Sequence, residues 1–156
     1  MLKFLRELAV AARNHTWSCL SYCLMSTHVH LILEVADESL PAGMQQLNTR
    51  YACGYNQRHR LRGHVFAGRY DAKRIRDDAQ LAATYSYDAN NPVKAGLCES
   101  AADWPWSTYS GTVELGELAS FVDADQILRL FGGNREGAIA CLRAYVEQSK
   151  QFRHGA

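Results

Sequence analysis

The sequence predicts an α+β fold, and two observations carry that prediction. Residues 17–35, WSCLSYCLMSTHVHLILEV, are rich in β-branched and aromatic side chains and read as one or two strands with a break near Ser26–Thr27. The other patterned segments repeat apolar residues at helical spacing or carry helix-boundary residues. At 156 residues the chain is the size of one domain, 1–156, and long enough to bury a hydrophobic core.

Each element follows in order. From Leu2 to about Asn14, the residues Phe4, Leu5, Leu8, Ala11 and Ala12 fall at helical spacing. After the strands, Ser39 and Pro41 open a helix, SLPAGMQQLNTRYACGYNQRH, with the proline in the first turn, where a missing N–H costs nothing. In RLRGHVFAGRYDAKRIRD, Gly63 and Gly68 bracket a short extended piece. Asp77 is the expected N-cap of a helix, DAQLAATYSYDANN, that Pro92 should stop. DWPWSTYSG reads as an aromatic-rich loop, and helices around DADQILRLF and REGAIACLRAYVEQS close the chain. There is no repeat, no low-complexity linker and no second domain in the pattern.

Composition narrows the class. Apolar residues make up 47% and charged residues 21%, as in a soluble globular protein. The apolar runs are too short or too polar to span a bilayer, and the amino end reads as an amphipathic helix rather than a signal peptide. The five cysteines form no CxxC pair and are odd in number, which points to free thiols in a reducing cytoplasm. The net charge of +1 conceals an asymmetry. Residues 50–76 hold eight Lys or Arg against Asp71, about +7, whereas 97–141 carries about −5. One segment is thus suited to a polyanion.

The candidate chemistry begins at His28 and His30. Strand alternation puts both on one face, with Tyr22, Leu24, Ser26, Ile32 and Glu34, opposite an apolar face of Cys23, Met25, Val29, Leu31, Leu33 and Val35. Their Cα atoms should lie about 7 Å apart, near enough for both imidazoles to reach one ion. The plain alternative is two half-exposed histidines on a solvated sheet face. On the helix after Asp77, Leu81, Tyr85 and Ala89 form a core stripe, Tyr87 lies roughly 200° round from Tyr85, and Asn91 shares the face of Tyr87. That face offers a phenol as nucleophile and a neutral oxygen ligand.

These residues carry a resemblance. The order YCLM-x-x-HVHLI, GHVFAGRY, Y-x-x-x-NPVKAGL and DWPWSTY, from about Leu2 to about Val146, resembles the REP-associated tyrosine transposases of the single-tyrosine HUH group. The resemblance implies an antiparallel sheet flanked by helices, HUH-endonuclease and ferredoxin-like, with about residues 120–150 as a C-terminal helical extension. It implies that His28, His30 and Asn91 hold Mg²⁺ or Mn²⁺ and that Tyr87 attacks a single-stranded DNA phosphate to give a 5′-phosphotyrosine. Relatives start with a further strand and a basic loop, whereas this chain starts inside the first helix. Ser26–Thr27 stands where relatives keep Pro-Asn. Asp88–Ala89–Asn90 replaces more hydrophobic residues, with Asp88 expected on a different helical face from Tyr87.

The basic segment is the expected contact for hairpin DNA with a single-stranded flank. Arg50, Arg58, Arg60, Arg62, Arg69, Lys73, Arg74 and Arg76 can neutralise phosphates, and Tyr51, Tyr55, Phe66 and Tyr70 can stack on bases. Core packing of Tyr51 and Phe66 is the even alternative. Glu34 is either a partner of the histidines or a solvated strand end. Two other functions compete: a hairpin-DNA-binding protein that has lost catalysis, and a zinc hydrolase, which lacks a third ligand at a convincing spacing. The relatives include monomers and homodimers, with the tyrosine acting in cis or in trans.

Overall fold

A computed structural model of the chain describes residues 1–36, 38–114 and 118–151. They form two compact units, one of Met1–Ser18 with Glu34–Arg74, the other of Cys19–Leu33 with the chain from Ile75 onward.

The first unit is a pair of packed helices, α1 (Leu2–His15) and α2 (Ser39–His59). Phe4, Leu8, Ala11 and Ala12 form the buried stripe of α1, as their spacing predicts. Met44 and Leu47 are buried on α2. Trp17 follows α1; its indole Nε1 donates to Ser39 Oγ at 3.0 Å, joining the two helix ends. Gly43 lies beneath that indole, so close that a Cβ there would meet the ring at 2.0 Å. Glu7 is buried on α1 and accepts from Arg50 Nε at 2.6 Å. Residues 60–77 leave α2 without regular helix or strand; the Asn56 side chain donates to the Gly63 carbonyl at 2.9 Å.

The second unit is α+β. Strands β1 (Ser18–Leu24) and β2 (Val29–Glu34) pair as an antiparallel hairpin, the two-stranded sheet of the described residues. The break falls at 25–28, where the Met25 N–H donates to the His28 carbonyl at 2.9 Å. The two strands therefore do not share one continuous alternation. From Cys19 to Leu24 every residue of β1 is buried, on both faces. The cause is long-range closure: β1 is bridged by Val122 and by Ser107, and Trp104 Nε1 donates to the Leu24 carbonyl at 3.0 Å. Trp104 thus serves the fold.

Helix α3 (Asp78–Lys94) starts at Asp77, whose side chain accepts from the Gln80 N–H at 2.7 Å. It does not stop at Pro92 but runs on to Lys94. A proline in the last turn forfeits one N–H, and Ala95, Gly96 and Leu97 still donate to Asn91, Val93 and Pro92 carbonyls. The segment read as a loop contains α4 (Thr108–Val113), capped by Ser107, whose Oγ accepts from the Ser110 N–H. Helices α5 (Ala124–Arg129) and α6 (Arg135–Gln151) complete the unit. Leu20, Ile32, Tyr85, Ala89, Tyr109, Ile127, Leu142 and Val146 build one core. It holds α3 beside β2, and that placement makes the site.

Candidate active site

His28 lies in the turn just ahead of β2 and is exposed; Thr27 Oγ1 is 3.1 Å from its Nδ1. Thr27 therefore orients the ring, leaving Nε2 for another partner. His30, inside β2, is half-buried. The two imidazole centroids are 4.9 Å apart.

Helix α3 meets His30 from both sides of the ring. Asn91 Nδ2 is 3.0 Å from His30 Nε2, and Asp88 Oδ1 is 3.2 Å from Nδ1. Asp88 and Asn91 are three residues apart and so share a helical face. The Tyr87 ring is 6.2 Å from His30 between centroids, is nearly perpendicular to it, and is 44% exposed. Lys94 Nζ sits 4.4 Å from the centre of the Tyr87 ring. Beside them opens a cleft of about 190 Å³ lined by Ser86, Tyr87, Asn90, Lys94, Tyr145 and Ser149. Of the two consecutive asparagines, Asn90 is internal, donating to the Ser86 and Val146 carbonyls at 3.1 and 2.9 Å. Tyr85 is buried core, as its stripe predicts.

Burial sets the electrostatics. It pushes the Asp88 carboxyl up to about 7. Burial, and then the neighbouring His28, lower the His30 imidazole below its ordinary value. The lowered His30 value leaves the ring uncharged near neutral pH, so its contact with Asp88 is a hydrogen bond rather than a full ion pair. Asp88 does lie on a different face of α3 from the exposed Tyr87, and from that buried side it reaches His30, a contact that counting from Asn91 would have found.

The donor set fits a divalent cation. Two neutral imidazoles and a carboxamide are nitrogen and oxygen ligands that leave the ion's charge for a phosphate, and imidazole favours Mn²⁺ over Mg²⁺. Asn91 can present Oδ1 instead of Nδ2 by turning its amide. Among the described residues, no three His, Cys, Asp or Glu side chains gather as a metal site of their own.

The expected DNA contacts divide. Arg58, Arg60, Arg62, Arg69, Tyr70, Lys73 and Arg74 are exposed in the first unit, and Arg76 is exposed in the second. Arg50 is engaged with Glu7. Tyr51 packs against Phe4, Tyr55 and Phe66 with centroids 5.3, 6.0 and 5.8 Å away, so Tyr51 and Phe66 serve an aromatic cluster. Glu34 is exposed at the end of β2. No helix among the described residues is long and apolar enough to cross a membrane.

Comparison with known proteins bears on the family of the chain. The chain is 26% identical over 113 residues to a protein of Haemophilus influenzae named "Putative REP-associated tyrosine transposase", covering 65% of this chain and 64% of that protein. No solved structure is a significant match. The family model described as "Transposase IS200 like" matches residues 2–91, a span that includes His28, His30, Tyr87 and Asn91. The chain belongs to the IS200-like transposase family.

Proposed function

We propose that this transposase nicks and rejoins single-stranded DNA near hairpin, REP-like sequences, with Mg²⁺ or Mn²⁺ as cofactor and Tyr87 as nucleophile. It would act in the cytoplasm, in keeping with its free cysteines. The observation that carries this reading is the convergence of His28, His30 and Asn91 with the Tyr87 ring in one chain.

His28, His30 and Asn91 would hold the cation. When bound, it supplies Lewis-acid polarisation and alignment of the scissile phosphodiester. Tyr87 Oη forms a bond to phosphorus while the bond to the 3′ oxygen breaks, and the proton of the phenol ends on that departing oxygen. The products are a 5′-phosphotyrosine and a 3′-hydroxyl. The new ester keeps the energy of the old one, so a second 3′-hydroxyl reverses the step and joins strands without a nucleotide cofactor. Phenol has an ordinary pKa of about 10, so attack near neutral pH needs positive charge close by. Lys94 over the Tyr87 ring is one such charge.

Incubation with labelled single-stranded hairpin DNA and Mn²⁺, followed by a denaturing gel, tests the reading. A covalent adduct should form with the wild type and with Tyr85→Phe, and vanish with Tyr87→Phe. DNA retardation without any adduct would instead establish a hairpin-binding protein that does no chemistry.

A further inference from the structure

We propose that Asp88 is a positioning residue that holds His30 in the tautomer with its proton on Nδ1, so that the Nε2 lone pair faces Asn91. The inference rests on reading His30 as a metal ligand and adds the group that makes it one.

The geometry is a three-member chain. Asn91 Nδ2 lies 3.0 Å from Nε2, and Asp88 Oδ1 lies 3.2 Å from Nδ1 of the same ring. A neutral imidazole carries one proton, so it donates on one side and accepts on the other. A carboxylate only accepts, and it draws the proton to Nδ1. Nε2 is then the lone pair that an amide N–H can reach in the metal-free protein and that a cation can take in its place. A carboxylate behind a ligating imidazole fixes ring orientation and raises basicity in this way.

Burial argues against an incidental contact. The Asp88 side chain is 7% exposed, and a buried carboxyl is costly unless it has a partner. A leucine or alanine would pack this helix face at lower cost.

Nitrogen-15 NMR of the metal-free protein with labelled histidine, at about pH 8, reads the tautomer directly. The wild type should carry the His30 proton on Nδ1; a proton on Nε2 overturns the proposal without any variant. Asp88→Asn keeps the shape but offers an N–H that can donate to Nδ1, so the Nε2-protonated ring should appear. The dissociation constant for Mn²⁺, read by electron paramagnetic resonance, should rise about tenfold or more in that variant. An unchanged tautomer or an unchanged Mn²⁺ affinity in Asp88→Asn overturns the proposal. Should the wild type bind no Mn²⁺ at all, the metal reading fails, and the tautomer alone then decides the role of Asp88.

Discussion

The ring of Tyr87 stands 6.2 Å from the ring of His30 within a single chain, at an interplanar angle of 80°. The tyrosine sits on α3, the histidine on β2, and both elements belong to the same compact unit. The relationship bears directly on whether the tyrosine acts in cis or in trans. Mixing Tyr87→Phe with His30→Ala should not restore adduct formation, because each chain supplies its own pair. Recovery of activity in an equal mixture, towards about a quarter of the wild-type level expected of randomly reassorted dimers with shared sites, would show that the tyrosine is exchanged between copies.

With Tyr87 as the proposed nucleophile, Lys94 would assist it. Its ammonium lies 4.4 Å from the ring centre, two helical turns along α3, where cation–π attraction and charge both favour a developing phenolate. Lys94→Ala should slow adduct formation by about tenfold, roughly 1.4 kcal/mol of transition-state stabilisation, while leaving Mn²⁺ affinity unchanged. Lys94→Arg should retain most of the rate. Single-turnover gels measure both, and an equal loss in the two variants would mean that charge is not what matters.

Local signals were readable from the residues, and long-range ones were not. The boundaries of α2 and the Asp77 cap match their side-chain signatures, because a cap is decided by residues within one turn. Helix phase put Tyr87 and Asn91 on one face of α3, whereas their placement beside the two histidines was implied only by the resemblance to the tyrosine transposases. Burial of β1 on both faces was not legible, since it depends on Ser107 and Val122 returning from distant segments. Helix α4 hid behind serines and a glycine that usually mark a loop, although Ser107 was an available cap signal. Asp88 was missed because its partner His30 comes from another element, and the periodicity of a helix says nothing about what will pack on it.

The cysteines supply a test of packing with a defined pH sense. Burial pushes the Cys19 and Cys23 thiols up to about 12. The thiolate is the reactive form, so at about pH 8 these two should resist a thiol-specific disulfide reagent until the chain unfolds, and reactivity should climb only as pH rises towards that value. Cys53 and Cys141 are exposed and should react at once, with Cys98, half-buried and raised by burial, slower. Rapid labelling of Cys19 in the native protein would contradict the closure of β1.

The arginines of the basic segment should separate into two classes. Arg50 donates through Nε to the buried Glu7, so Arg50→Ala leaves a carboxylate inside the helix pair without its partner. Because the Arg50 side chain is 52% exposed, solvent screens part of that loss, and the cost should be about 1–2 kcal/mol of stability. Arg58 and Arg62 are exposed, at the end of α2 and just beyond it. Their replacement by alanine should leave urea unfolding unchanged within about 0.5 kcal/mol. Each should instead weaken single-stranded DNA binding and lower the slope of log affinity against log salt by about 0.7. Denaturation curves and salt titrations on the three variants distinguish the classes. A salt slope lowered by Arg50→Ala as much as by Arg58→Ala, at unchanged stability, would move Arg50 from the fold to the DNA surface.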